Sequence, residues 1–474
     1  MVDATTPRDG SVLAELLVVL GAHRPAFGQE RLYQRGVALV VGWLCTFGRH
    51  TITGVLLGLG LGHSDWTAWY RLFSRGRVDY ERLTRCLLAQ TLPLVPPEAP
   101  YLVGVDATQI PRHSQTMPGT SWLRHPGTAI FRAGIHRAQR FVHLGWLAPP
   151  SLAGFSRAVP LRFEPAFPAT AVPTPDYPPR KEWEAGLAAM AWTRQGLDAA
   201  GRAAQAVLAL GDGAYSAAPV WAGLPERVVL LTRCAKNRAL YALPGPYAGH
   251  GRPRDYGERL PRPDAFLAAR AGWRRTELRV RGRAIPIRFR VEGPLLVRGA
   301  PQRPLFLLVV KGSDPAHGTR RREARFWLVS AVTDGAGGWT LPWSAPQLRG
   351  WAWQRWELEV AHRELKSGFG LGEPQAWSPR AAILTVQWVA WTYAVALLAG
   401  LRAWGLGPGP VRSPGRWWGG SGRWSLARLW QGFRQDVWAE ATFHRVWLRT
   451  GGNGDEMIDW LAARTNATLA ASRT

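Results

Sequence analysis

Carboxylates that end apolar runs are where this chain offers chemistry. Asp106 follows residues 102–105 and Asp212 follows residues 207–210, both runs short and apolar enough to be strands. Strand ends of an open sheet are where ligand sites form. Two carboxylates there can hold Mg²⁺, which prefers oxygen ligands, keeps part of its water and takes further coordination from substrate phosphates. Such an ion makes a nucleophile of water or of a 3′-hydroxyl and stabilises the departing oxygen. Each Asp also has a plainer use, capping the turn after it. A third carboxylate, Glu359, lies between Arg355 and Lys366, at spacings of four and seven that place all three on one face of a helix. By itself that stripe reads first as an ordinary solvated row of ion pairs.

A run of helical and strand-like segments has to carry these groups. Residues 11–94 are helical in pattern, with Trp66, Trp69, Tyr70 and Phe73 on one face, and a proline-rich stretch at 93–100 ends them. Residues 101–105 and 140–147 read as strands. A proline-rich connection over 147–180 leads to a helical stripe of Trp183, Leu187, Met190, Arg194 and Leu197, then to strands at 206–210 and 228–231. Alternation of this kind argues for a sheet with helices packed on it. Residues 241–264 turn to Gly, Pro and Arg as a linker does. The segment beyond this linker is β-rich: alternation places Arg279, Arg281, Arg288 and Arg290 on one face of a hairpin and Leu278, Val280, Ile287, Phe289 and Val291 on the other. Runs at 305–310 and 326–332 extend this β-rich module, which sits inside the α/β unit, before helical periodicity returns near Trp351. Residues 381–401 are apolar enough for a membrane span, but Thr385, Gln387 and Thr392 interrupt them, and a buried helix is the reading adopted. A second linker over 405–422 precedes an amphipathic helix with Leu426, Leu429, Trp430, Phe433 and Val437 on one side.

Composition narrows the partners. The chain of 474 residues carries 59 Lys plus Arg against 33 Asp plus Glu, a net charge of +26 that attracts polyanions. Its lysines are Lys181, Lys236, Lys311 and Lys366, so Arg supplies nearly all of the positive charge, with a rigid fork suited to phosphate. Cys45, Cys86 and Cys234 are far apart and without CxxC spacing, which points to a reducing compartment and away from a structural zinc. The polar first ten residues do not read as a signal peptide, and a cytoplasmic, nucleoid-associated protein without a membrane is expected.

Arg355-x3-Glu359-x6-Lys366, running on into Gly368-Phe369-Gly370-Leu371-Gly372, resembles the Tyr-x2-Arg-x3-Glu-x6-Lys signature of bacterial insertion-sequence transposases of the DDE class. Asp106 within Val103-Gly104-Val105-Asp106-Ala107-Thr108, and Asp212 within Leu210-Gly211-Asp212-Gly213-Ala214-Tyr215, resemble the first and second Asp motifs of that family. The resemblance covers residues 101–401. It implies a ribonuclease H-like α/β catalytic core interrupted by a β-rich insertion, with helical N- and C-terminal regions. It implies further that Asp106, Asp212 and Glu359 bind two Mg²⁺ ions, with Mn²⁺ as a substitute, and that Arg355 and Lys366 contact DNA near the transposon end. The signature's Tyr position is Ala352, flanked by Trp351 and Trp353, so the phenol contact of the family has no counterpart here.

The resulting expectation is a metal-dependent DNA endonuclease and strand transferase, acting on terminal inverted repeats and target DNA as a homodimer in the DNA complex. Its parts are a helical DNA-binding region (1–97), the core in two pieces (98–240 and 336–402), the β-rich insertion (241–335), and a linker with a C-terminal helical region (403–474). The Arg face of the hairpin, Arg279, Arg281, Arg288 and Arg290, would neutralise phosphates. A non-catalytic or decayed transposase-derived DNA-binding protein is the alternative. Weaker signals take plainer readings: Gly58, Gly60 and Gly62 before His63 as a helix end, His362 as solvated or phosphate-facing, and Trp273 and Trp327 as core residues before base-stacking platforms.

Overall fold

Five helices open the chain: α1 (Val12–Ala22), α2 (Glu30–Cys45), α3 (Ile52–Gly58), α4 (Thr67–Ser74) and α5 (Tyr80–Thr91). The structure, a computed structural model, describes residues 10–439 apart from 115, 130, 172–175, 248, 250, 312–323 and 411–421. Side-chain caps start several of these helices: the Ser11 hydroxyl accepts from the Ala14 amide and the Asp79 carboxylate from the Arg82 amide. Of the aromatic stripe expected on one face, Phe73 is buried edge-on against Trp388, while Tyr70 stays exposed. The Gly58 to Gly62 segment ends α3, with Gly60 in the left-handed region at φ 74°.

The strands are β1 (Tyr101–Pro111), β2 (Thr120–Arg124), β3 (Ile135–Leu147), β4 (Ala158–Pro165), β5 (Val207–Gly211), β6 (Val228–Arg233), β7 (Leu240–Tyr241), β8 (Arg259–Leu260), β9 (Arg274–Val280), β10 (Arg283–Leu295), β11 (Leu305–Lys311), β12 (Arg325–Ser330), β13 (Val332–Thr333) and β14 (Trp339–Thr340). Ten of them form the central sheet, of order β2-β3-β1-β5-β6-β12-β11-β10-β9 with β4 added on β3. Two short pairs lie outside it, β7 with β8 and β13 with β14. β1 runs antiparallel to β3 and parallel to β5, and β5 runs parallel to β6. The succession β4-β3-β1-β5-β6 is compatible with a ribonuclease H-like core. Every residue of β5 is buried, as a central parallel strand requires. The β-rich segment does not stand apart as a module: β12 pairs with β6, and β11, β10 and β9 carry the same sheet onward.

The hairpin of β9 and β10 turns through Arg281 and Gly282, whose φ values of 50° and 78° are those of a two-residue left-handed turn. Leu278, Val280, Ile287 and Phe289 are buried on the inner face, while Arg279 and Arg288 are exposed on the outer one. Two of the four arginines depart from the expected free ribbon. Arg281 sits in the turn and donates to Glu357 at 2.6 Å, and Arg290 pairs with Glu292 while lying over Phe266 and Trp273. Trp327 is buried under Arg349, and the partly buried Trp273 is covered by Arg288, Arg290 and Lys311, so neither offers an open stacking face.

The remaining helices pack on this sheet: α6 (Glu182–Ala199), α7 (Ala218–Ala222), α8 (Ala345–Gln354), α9 (Trp356–Ser367), α10 (Pro379–Trp404) and α11 (Leu426–Ala439). α10 starts at a Ser378 cap with Pro379 in its first turn. It is long and apolar enough to cross a membrane, yet its whole apolar window is buried against β4, α1 and α4. The buried reading of residues 381–401 therefore holds. Leu426, Leu429 and Phe433 of α11 are buried as their spacing required. The second linker and the C-terminal region fall in part outside the described residues.

Candidate active site

Parallel pairing of β1 with β5 sets Val105 opposite Gly211, so the next residues, Asp106 and Asp212, emerge side by side where β5 stops. Asp106 is not at the end of its own strand, as expected from sequence. β1 runs on to Pro111 because its far edge stays paired with β3, Asp106 facing His143. Asp212 takes up its capping role, one carboxylate oxygen accepting from the Ala214 amide at 2.8 Å, and this leaves the other oxygen for a ligand.

Glu359 reaches the same place through a notch in the sheet. Gly104 and Gly145 lie opposite each other on β1 and β3, and a Cβ on either would come within 2.8 Å of Leu358, whose side chain fills the gap. Gly104 and Asp106 are two residues apart on one strand, so Asp106 points to the face on which α9 is docked. The helix expected across residues 351–370 is interrupted at Arg355, which joins α8 to α9. One guanidinium nitrogen of Arg355 donates to Asp106 at 3.0 Å and the other to Glu359 at 2.9 Å.

Burial pushes the Asp106 carboxyl up to about 6, against the attraction of Arg355, and the charges of Asp212 and Glu359 push the same way as burial. The three carboxylates thus lie within electrostatic reach of one another. Lys366, in the last turn of α9, is held below its ordinary range by desolvation, with Asp106 opposing. The hairpin arginines Arg279, Arg281, Arg288 and Arg290 belong to the far end of the sheet, connected to this helix pair through Arg281 and Glu357.

A family model described as DDE superfamily endonuclease matches residues 24–288, more than half of the chain. The chain belongs to the DDE superfamily of endonucleases. No curated protein matches it. Membership makes DNA the substrate class of this DDE endonuclease, and nucleases of the superfamily generally use divalent metals. The match spans Asp106 and Asp212 and stops short of Glu359, whose place in the site rests on the geometry above.

The donor set of this DDE endonuclease fits a divalent ion in kind: carboxylate oxygens, two of them on Asp106 and Glu359 already sharing a cation, the Arg355 guanidinium. Among the described residues no three His, Cys, Asp or Glu side chains are gathered tightly enough to hold an ion together. The guanidinium occupies the position between Asp106 and Glu359 that such gathering would need.

Sequence reasoning missed several neighbours. His362, one turn beyond Glu359, is half-buried: its Nε2 lies 3.0 Å from Nδ1 of the fully buried His143, and burial pushes it down to about 3. Glu182 and Arg140 form an ion pair at 3.5 Å on the Asp212 side. Tyr215 is buried among the same charges. The one available signal was a His inside the apolar run Phe141-Val142-His143-Leu144; Glu182 reads in sequence as an ordinary first-turn acid.

Proposed function

We propose that this DDE endonuclease is a transposase, cleaving DNA at the ends of an insertion sequence and joining the freed 3′-hydroxyl to target DNA. The observation that carries this reading is the approach of acidic groups from three remote stretches, Asp106 and Glu359 sharing the Arg355 guanidinium and Asp212 emerging beside Asp106, in a protein of net charge +26. Mg²⁺, as two ions with Mn²⁺ as a substitute, is the cofactor that suits an all-oxygen site of this kind. When bound, it would activate the attacking water or hydroxyl and offset charge on the leaving oxygen.

The chain's own groups do the rest. Asp106 and Glu359 would hold the ion together with Asp212, and Arg355, whose fork suits a phosphate as well as a carboxylate, would serve a phosphate of the scissile strand. Lys366, on the same helix face, holds a neighbouring phosphate. Leu358, seated in the Gly104 and Gly145 notch, keeps Glu359 in register with the sheet. The N-terminal helices are the expected readers of the terminal repeats, and two protomers are expected on a pair of ends.

A supercoiled plasmid carrying the element with its own ends tests this. With Mg²⁺, the parent nicks and rejoins it, while Asp106→Asn, Asp212→Asn and Glu359→Gln each lose activity by several orders of magnitude. Nicking by all three variants at the parental rate would mean that the chemistry lies elsewhere.

A further inference from the structure

A further carboxylate lies on a helix packed against the strand end that carries Asp212. Glu182 opens α6, and its half-buried carboxylate is 3.5 Å from Arg140, longer than the roughly 2.8 Å of a charge-assisted hydrogen bond. Burial raises the Glu182 carboxyl above its ordinary range, the Asp212 charge adds to that, and Arg140 only opposes it. Tyr215 ties the two acids together. Its ring packs on Gly211, the residue before Asp212, and on Gly186, where a Cβ would come within 2.4 Å of the ring. Gly186 is one helical turn from Glu182 and shares its face.

The Tyr215 side chain is 1% exposed, and its hydroxyl finds no hydrogen-bond partner among the described residues. The charges bearing on that hydroxyl include those of Glu182, Asp106 and Asp212. A buried hydroxyl left unpaired costs about 1–3 kcal/mol, and a hydrated cation among these acids would supply its partner. A plain helix-end acid would explain Glu182 alone, with no account of the hydroxyl buried beside it.

We propose that Glu182 is a fourth carboxylate of the divalent-cation site, donating oxygen beside Asp212 with the Tyr215 hydroxyl held against the ion's water. This rests on the metal reading of Asp106, Asp212 and Glu359. It extends the site along the row Glu359, Asp106, Asp212, Glu182, so that the Asp212 end gains an acid that Arg355 does not occupy.

Mn²⁺ binding to the full-length protein without DNA, followed by electron paramagnetic resonance, tests it. Glu182→Gln is expected to weaken Mn²⁺ by about tenfold or more, and Glu182→Asp, which keeps the charge and shortens the reach, to weaken it as well. Arg140→Gln, which releases Glu182 from its competitor, is expected to bind Mn²⁺ at least as tightly as the parent. If Glu182→Gln binds like the parent while Asp212→Asn is weakened, the fourth-ligand role is wrong and the three-carboxylate site survives. If Arg140→Gln loses affinity as Glu182→Gln does, Glu182 is only the partner of Arg140. If Asp106→Asn and Asp212→Asn also bind like the parent, both readings fall together.

Discussion

Asp106 is a carboxylate that pays for its position by resisting ionisation, and this gives the site a measurable signature. Its folded pKa of about 6 stands above the ordinary carboxylate value, because burial and the Asp212 and Glu359 charges outweigh Arg355. Between those two values the folded state binds more protons than the unfolded one, so this group's contribution to stability is full below the unfolded pKa and is lost as pH rises toward 6. A two-unit rise corresponds to about 2–3 kcal/mol as an upper bound. Asp106→Asn, which can still accept from Arg355, is therefore expected to unfold at higher temperature than the parent at pH 7.5 in a chelating buffer, with the two converging near pH 4. Thermal melts across that range check it, and equal melting at pH 7.5 would remove the strained carboxylate. The types of the three acids were legible in sequence because each follows or lies within a recognisable run. The bridging of Asp106 and Glu359 by Arg355 was not, since an Arg four residues before a Glu serves a phosphate or a carboxylate equally well. The contact of His362 with His143 was hidden for a similar reason, since His143 lies on a strand remote in sequence.

Elements bring these residues together through one close approach. α9 rests on β1 and β3 because Gly104 and Gly145, opposite each other, leave room for Leu358, and Glu359 is the next residue. Gly104→Val would drive a branched side chain into Leu358, whose Cδ1 lies 2.6 Å from the added Cβ position. Overpacking of this kind costs roughly 1–3 kcal/mol and lifts the helix from the sheet. The expected result is a lower melting temperature with a larger fractional drop in nicking, and Leu358→Ala in the same chain is expected to restore part of the activity by reopening the notch. Absence of rescue would mean that the helix is positioned by other contacts. Strands β1, β5 and β6 were readable because apolar runs end in Asp, Gly or Arg. The notch was not, because a single Gly in a strand signals a bulge or a close approach without naming what approaches. The attachment of β12 to β6 was also hidden, since strand order depends on pairings far apart in the chain.

Across the whole molecule, the positive charge divides into arginines that hold the fold and arginines left exposed. Glu357, buried on the side of α9 away from Glu359, accepts from Arg281 at the hairpin turn and from Arg423 ahead of α11, both at 2.6 Å. Arg279 and Arg288, on the outer face of the same hairpin, are exposed and make no carboxylate pair among the described residues. Counterion release then separates the two groups. Every phosphate that a variant no longer neutralises lowers the slope of log affinity against log salt by about 0.9. Arg279→Gln with Arg288→Gln is expected to reduce that slope by up to about 2 with little change in melting temperature. Arg281→Gln is expected to lower stability instead, because it strips a buried carboxylate of one of its two cations, and to leave the slope nearly unchanged. Fluorescence anisotropy with a labelled duplex over a salt series, beside thermal melts of the same variants, measures both quantities. An unchanged slope in the Arg279 and Arg288 variant would place the DNA path elsewhere on the sheet, and a reduced slope with Arg281→Gln alone would show that the ion pair opens when DNA binds.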